Sequence, residues 1–209
     1  MTAGRRIKAA PFLSILPEKD GVVECGRRDD CKGNRMEPWK KIQEEPSFSG
    51  TFRRVKRVRF ELPTGIEKDF DILIAGEVVI LLALTKDEKV ILVRQFRPGP
   101  EKVLTELPGG WRDPNESLRD AASRELREET GYAGDLSYVG RTYGSAYSDL
   151  IRHVFIVRHC EKVAEPEPDS GEVLETELMS LPLFREYVKT GEMTDMGSAY
   201  RALDALGKL

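Results

Sequence analysis

The chain has 209 residues, of which 40% are hydrophobic and 33% are charged, and its formal net charge is −3. This composition predicts a folded protein with a core and excludes wholesale disorder, while the mildly acidic balance argues against nucleic-acid binding as its main role. Three cysteines do not make a disulfide framework, so we expect a cytoplasmic protein. The longest apolar run, residues 78–84, is far shorter than the roughly 20 residues of a membrane span, so we expect no membrane association.

The composition of the chain changes near residue 36. Residues 1–35 carry more basic than acidic side chains, and residues 21–35 are clusters of Gly, Asp, Arg and Asn with almost no apolar periodicity. We therefore expect a flexible N-terminal extension over residues 1–35 and one domain over residues 36–209. One hypothesis is that the natural domain begins near Met36.

The predicted domain is rich in strands at first and in helices at its end. Strands are predicted where Val, Ile and Leu alternate or cluster between turn residues, at 52–60, 69–75, 77–84, 89–95, 103–107, 137–143, 152–162 and 172–179. Helices are predicted from apolar spacings of three and four residues, at 115–130, 182–189 and 197–206. This order of elements predicts an α+β or layered αβα domain.

Residues 110–132 form the most informative segment. Residues 113–115 predict a loop and the N-cap of a helix, with Glu116 in the first turn, where the helix dipole favours an acid. The apolar positions of this helix recur every four residues and predict its buried face: Leu118, Ala122 and Leu126. Gly131 predicts the end of the helix.

Three acids, Glu125, Glu128 and Glu129, fall on one side of this helix. Like charges so close together repel, and Arg124, four residues before Glu128, offsets only part of that repulsion. A hard divalent cation would offset more, because Mg²⁺ and Mn²⁺ prefer carboxylate oxygens. An exposed acidic helix face is the alternative, but the flanking glycines and the Arg-Glu-Leu-x-Glu-Glu order favour a metal site.

This segment resembles the Nudix box, Gly-x5-Glu-x7-Arg-Glu-U-x-Glu-Glu-x-Gly-U, in which U is a bulky apolar residue. Its defined positions are filled by Gly110, Glu116, Arg124, Glu125, Leu126, Glu128, Glu129 and Gly131. The one departure is Tyr132, which is aromatic where an aliphatic residue is usual. The resemblance implies a Nudix-type α/β/α sandwich with a mixed β-sheet, and an enzyme that hydrolyses a nucleoside diphosphate linked to another group.

The resemblance also implies roles for residues of the box. The implied ligands of Mg²⁺ (or Mn²⁺) are the backbone carbonyl of Gly109 and the side chains of Glu125, Glu128 and Glu129. Glu116 and Arg124 resemble residues that brace the loop and orient the acids. Arg124 and Glu128 therefore join the predicted catalytic set.

Two segments before the box resemble the ADP-ribose pyrophosphatase branch of the family, namely Val-Arg-Gln-Phe-Arg-Pro at 93–98 and Glu-Leu-Pro-Gly-Gly at 106–110. In that branch, the arginine that matches Arg97 contacts the diphosphate, so the resemblance implies that Arg97 and Glu106 bind substrate. A surface arginine before a proline turn is the alternative. Gly109 replaces the alanine that is usual in that branch.

This branch often takes its general base from a loop glutamate well past the box. Residues 169–177 form the acidic loop-to-strand segment at that distance. Glu172 is the first choice of catalytic base and Glu175 the second, because a carboxylate there could accept the proton of the attacking water. Solvated loop acids are the alternative.

Enzymes of this branch usually pair as homodimers through an N-terminal strand region, which residues 36–75 would supply here. Trp39, Phe48 or Phe52 would then stack on the adenine, with ordinary packing as the alternative. The implied reaction converts a small molecule, ADP-ribose or a related nucleoside diphosphate sugar, to AMP and a sugar 5-phosphate. Hydrolysis of another nucleoside diphosphate derivative, such as NADH, is an alternative. A module that senses a nucleotide without cleaving it is a second alternative, although such modules commonly lose box glutamates.

Overall fold

The computed structural model describes residues 36–168 and 171–209 of the chain. The predicted flexible extension at 1–35 lies outside the described residues. Among the helices that are described, none has the length and apolar character that a bilayer span requires.

Three strands form a small antiparallel sheet in chain order. They are β1 (Lys40–Ser49), β2 (Arg54–Glu61) and β3 (Glu67–Ile74). The sequence predicted β2 and β3 but not β1, because all ten residues of β1 are exposed and carry no apolar alternation. Trp39, Phe60 and Phe70 pack together on this sheet, with ring centroids 5.5–6.3 Å apart.

A larger sheet has seven strands and forms the centre of the fold. Its strands are β4 (Glu77–Thr85), β5 (Lys89–Arg97), β6 (Lys102–Glu106), β7 (Gly109–Trp111), β8 (Tyr132–Tyr143), β9 (Ile151–Lys162) and β10 (Leu174–Ser180). The strand order is β10-β5-β4-β9-β8, with β6 paired to β5 and β7 paired to β4. Strands β4 and β9 are parallel and the other pairs are antiparallel, so the sheet is mixed as expected.

Three helices cover the two faces of the larger sheet: α1 (Leu118–Thr130), α2 (Leu181–Val188) and α3 (Met196–Ala205). Successive residues of β4 point to opposite faces. Leu81 packs with Leu126 of α1, whereas Leu82 packs in a second cluster with Phe184 of α2 and Leu203 of α3. The predicted α/β/α layering is therefore confirmed.

The start of α1 differs from the prediction. The N-cap is Ser117, whose hydroxyl oxygen accepts a hydrogen bond from the backbone N–H of Asp120 over 3.1 Å. Asn115 has a left-handed backbone, with a φ of 68°, so the helix cannot begin at 115 and Glu116 precedes its first turn. The predicted end is correct, because Gly131 caps the helix with a φ of 75°.

The larger sheet divides in its middle. Strands β4 and β5 pair only at Ala83–Ile91 and Leu84–Val90, and beyond these pairs β4 continues with β7 and β5 with β6. The chain crosses between the two branches at residues 107–108, where the carbonyl of Pro108 accepts a hydrogen bond from the N–H of Leu81 over 3.0 Å. This crossing leads directly into the segment that carries the predicted metal ligands.

Candidate active site

Arg124 holds the loop that precedes α1. Its guanidinium donates to both carboxylate oxygens of Glu116, each over 3.0 Å, and to the backbone carbonyl of Trp111 over 2.9 Å. Glu116 also accepts the backbone N–H of Asp113 over 3.1 Å. The hydrogen bonds from Arg124 keep the pKa of Glu116 below its ordinary value. A planar guanidinium is suited to such a two-pronged contact, which fixes the path of the chain from β7 into α1.

The same guanidinium reaches two acids of the helix. Its Nη1 donates to Glu125 over 2.9 Å and to Glu128 over 3.0 Å. The hydrogen bond to Glu116, followed by those to the helix acids, raises the pKa of Arg124 against the effect of burial. Arg124 therefore links the loop to the acidic side of α1 as a permanent cation.

Glu129 is buried and Glu125 is half-buried. The side chain of Glu125 is 12% exposed, and Glu129 is 4% exposed. Burial raises the pKa of Glu125 to about 7, against the lowering effect of Arg124, and the nearby carboxylate of Glu172 raises it further. Burial likewise raises the pKa of Glu129 to about 8, with Glu125 and Glu172 adding to the shift. Acids that resist ionisation together in this way are typical of functional sites.

Two glycines allow the backbone of β7 to approach these acids. The N–H of Gly109 donates to the Oε2 atom of Glu129 over 2.8 Å. A Cβ atom added to Gly110 would lie 2.4 Å from the carboxylate of Glu125. Glycine at 110 therefore leaves the space that this carboxylate occupies.

The acids open onto one cleft of about 240 Å³. Its lining residues are Gly110, Trp111, Asp113, Arg124, Glu125, Glu128, Glu129 and Glu172. Glu172 comes from the turn before β10, far along the chain from α1. Glu175, the second choice of base, has a side chain that is 76% exposed and pairs with Arg94 over 3.3 Å. The fold thus brings Glu172, rather than Glu175, to the acids of the helix.

Arg97 and Glu106 form an ion pair in which Glu106 is buried and Arg97 is half-buried. The Nε atom of Arg97 donates to Glu106 over 2.5 Å, and the side chain of Glu106 is 0% exposed. The other oxygen of Glu106 accepts the backbone N–H of Thr194 over 3.1 Å and also the hydroxyl of Thr194. Arg97 lies close enough to Glu129 to lower the pKa of that acid. Both oxygens of Glu106 thus contact protein groups, and its direct contact with substrate stays a prediction.

Phe52 lies in a second cavity, which has a volume of about 410 Å³. The residues that line it are Gly50, Thr51, Phe52, Arg53, Arg54, Ile74, Ala75 and Trp111. Trp111 also lines the acidic cleft, so the two cavities are neighbours. Trp39, by contrast, packs in the aromatic cluster of the small sheet, and Phe48 lies over Gly50. Of the three predicted aromatic residues, Phe52 is the one beside the cleft.

The donor set of the cleft fits a hard divalent cation. Among the described residues, no three acidic, His or Cys side chains are already arranged to hold an ion, and Arg124 donates hydrogen bonds to Glu125 and Glu128. Five carboxylates, those of Asp113 and four glutamates, nevertheless share one cleft, and burial and mutual repulsion raise the pKa values of two of them. A cation among these oxygens would relieve that repulsion, and oxygen ligands are those that Mg²⁺ and similar ions take.

Sequence reasoning missed two residues that the structure brings to this region. Trp111 occupies an unspecified position of the box, and its only signal was an aromatic side chain directly after two glycines. Thr194 stands 88 residues after Glu106 and carries no local signal, because their contact depends on how α2 and α3 pack against the sheet.

A cluster of carboxylates from a loop and a helix lies where the mixed sheet divides. Such a cluster is typical of hydrolases that use divalent metals. Comparison with known proteins agrees, since residues 75–198 match the family described as "NUDIX domain". The chain belongs to this family of hydrolases, which generally use divalent metals.

Individual relatives and a solved structure extend this match. An ADP-ribose pyrophosphatase of Bacillus subtilis is 34% identical over 164 residues, which cover 77% of this chain and 89% of the relative. An ADP-sugar pyrophosphatase of Mus musculus is 37% identical over 102 residues, which cover 46% of each chain. A crystal structure of an ADP compounds hydrolase has the same fold, with a TM-score of 0.70 at 19% identity, and covers 85% of this chain and 100% of that one.

Proposed function

We propose that the protein hydrolyses the pyrophosphate bond of ADP-ribose or a related nucleoside diphosphate sugar and releases AMP and a sugar 5-phosphate. The observation that carries this proposal is the single cleft that joins the box acids to Glu172. The name of the Bacillus subtilis relative, which aligns with most of this chain, supports ADP-ribose as the substrate. Retention of every box glutamate favours catalysis over nucleotide sensing.

Mg²⁺ (or Mn²⁺) is the proposed cofactor, held by Glu125, Glu128, Glu129 and the carbonyl of Gly109. When bound, such a cation neutralises charge on the phosphate oxygens and makes water more acidic. Arg124 keeps the helix acids and the preceding loop in place through its hydrogen bonds to both. The protein thereby supplies positioning and electrostatics, which carry most of the catalysis of phosphoryl transfer.

Glu172 is the proposed general base. It accepts a proton from the water whose oxygen attacks phosphorus, and the bond from that phosphorus to the bridging oxygen breaks. Arg97 is proposed to bind the diphosphate through the terminal nitrogens of its guanidinium, since its Nε atom is taken by Glu106. Phe52 is proposed to stack on the adenine, and its cavity beside the cleft supports that role.

We further propose that the protein acts as a cytoplasmic homodimer that binds neither nucleic acid nor membranes. Residues 36–75 would provide the dimer contact. The exposed strand β1 supports this, because an edge strand with all ten residues exposed presents backbone groups to a second chain. Light scattering of the purified protein, compared with a variant that lacks residues 36–49, tests the oligomeric state.

A substrate panel tests the proposed reaction. The purified protein is incubated with ADP-ribose, other nucleoside diphosphate sugars and NADH, with Mg²⁺ and separately with Mn²⁺, and the products are separated. We expect AMP release from ADP-ribose to be fastest and to require the metal. Release that is faster from NADH would reassign the substrate, and tight binding of ADP-ribose without any AMP release would indicate a sensor.

A further inference from the structure

The loop between α2 and α3 contacts both branches of the divided sheet. Thr194 reaches β6, where its backbone N–H and its hydroxyl both donate to the Oε1 atom of Glu106. The next residue, Asp195, reaches β9, where it pairs with the Nε atom of Arg152 over 2.6 Å. The side chain of Asp195 is 11% exposed, so this ion pair is largely shielded from solvent and holds the loop against β9.

Glu106 connects this loop to Arg97, the proposed ligand of the diphosphate. Its side chain is fully buried, and its two oxygens face different partners, Thr194 on one side and Arg97 on the other. A buried carboxylate with both oxygens bonded has a fixed orientation. The Nε atom of Arg97, which is bonded to it over 2.5 Å, is thereby fixed as well.

Fixing Nε leaves the rest of the guanidinium for a ligand. Within residues 36–168 and 171–209, the side chain of Arg97 forms its hydrogen bond and ion pair through Nε, with Glu106 as the partner. The side chain keeps 37% of its surface exposed. Its partner Glu106 ends β6, and the next strand begins at Gly109, whose N–H donates to Glu129 over 2.8 Å, so the ion pair lies close along the chain to the acidic cleft. An arginine that is held by one nitrogen and presents two others suits a phosphate group.

We infer that Thr194 is a positioning residue for substrate binding, which acts through Glu106 on the orientation of Arg97. The inference rests on the proposed function and deepens it, because it makes the α2–α3 loop part of the diphosphate site. Loss of the Thr194 hydroxyl leaves the backbone N–H of Thr194 as the remaining donor to Oε1 of Glu106. The carboxylate is then held less firmly, so that Arg97 no longer presents its terminal nitrogens at the angle that the diphosphate requires.

The test is a double-mutant cycle between Thr194 and Arg97, measured with ADP-ribose and metal. We expect T194V to raise KM about tenfold, the effect of a hydrogen bond to a charged group, while kcat changes less than about twofold. T194S, which keeps the hydroxyl, restores the KM. In an R97A background, T194V has no further effect on KM, because the residue through which it acts is absent.

Thr190 provides the matched control in the same loop. Its hydroxyl donates to the backbone carbonyl of Tyr187 over 2.7 Å and does not contact Glu106, so T190V leaves KM unchanged. An unchanged KM in T194V, or an equal rise in KM with and without Arg97, would overturn the inference while the proposed function stands. A wild-type protein that releases no AMP would instead overturn the proposed function, and this inference with it.

Discussion

The backbone N–H of Gly109 donates a hydrogen bond to the carboxylate of Glu129 over 2.8 Å, which joins the first residue of β7 to the last turn of α1. This contact lies at the crossing between the two branches of the sheet, so it couples α1 to the strand that precedes it. One hydrogen bond does not compensate for the burial of Glu129, whose pKa stays raised to about 8.

The raised pKa of Glu129 predicts how the stability of the metal-free protein depends on pH. The pKa of Glu129 is about 8 in the folded chain against 4.5 as its ordinary value, so between these values the folded state binds more protons than the unfolded state. The free energy of unfolding therefore falls as the pH rises from about 5 to 8. Urea unfolding at several pH values without metal measures this slope.

Glu129→Gln tests the origin of that slope. The amide oxygen can still accept the Gly109 N–H but carries no charge, so we expect the variant to gain on the order of 2 kcal/mol at pH 8 without metal. We also expect its activity to fall about 10- to 100-fold. Mg²⁺ should raise the free energy of unfolding of the variant less than that of the wild type. A variant that is less stable than the wild type at pH 8 would contradict this account.

Arg124→Lys should separate charge from geometry. Lysine keeps the positive charge but cannot donate at once to Glu116, Trp111 and the helix acids, as Arg124 does. We expect a loss of about 1–3 kcal/mol in the free energy of unfolding and a clear fall in kcat, measured by urea unfolding and steady-state kinetics. Arg119→Lys is the control, because Arg119 lies on the same helix and contacts only the carbonyl of Leu136 among the described residues. Equal effects at both positions would argue against a special role for Arg124.

Gly131→Ala should destabilise the end of the helix. Gly131 has a φ of +75°, and an added Cβ would lie 2.2 Å from the carbonyl oxygen of Ala164, so both backbone strain and a clash with backbone oppose a side chain. We expect the free energy of unfolding to fall by about 1–3 kcal/mol. Gly197→Ala is the matched control, since nothing lies within 4 Å of its added Cβ and it sits inside α3. Thermal unfolding of both variants measures the difference.

The sequence was most informative where structure depends on local spacing. The four-residue recurrence of Ala122 and Leu126 and the glycine at 131 predicted the body and end of α1, because a buried stripe and a left-handed cap are local properties. Strand β1 was not predictable in this way, since its pairing with β2 leaves every side chain exposed and no apolar period results.

In the candidate site, too, local features were predicted from the sequence and long-range contacts were not. The order of the helix acids and Arg124 identified them in the sequence. The start of the helix, by contrast, was predicted three residues too early, because Asn115 and Ser117 are both good capping residues. The bond between Thr194 and Glu106 spans 88 residues and depends on tertiary packing alone. Such contacts leave no periodicity in the sequence that could reveal them.

Glu172→Gln tests the proposed general base. Glu172 lines the acidic cleft together with Glu125 and Glu129, and its charge raises the pKa values of both. The amide cannot accept a proton, and we expect kcat to fall about 10²- to 10⁴-fold, with little change in KM or in thermal stability. The loss should lessen as the pH rises, because hydroxide replaces the water that needs a base.

Glu175→Gln is the control for that substitution. Glu175 pairs with Arg94 over 3.3 Å and its side chain is 76% exposed, so the change removes the same charge three residues away without altering the cleft. We expect its kcat to stay within about twofold of the wild type, since exposed ion pairs contribute little. Steady-state kinetics of both variants from pH 6 to about 9 gives the comparison. If kcat falls in Glu175→Gln but not in Glu172→Gln, Glu175 is the base, and if neither variant loses activity, the proton goes to another group in the cleft.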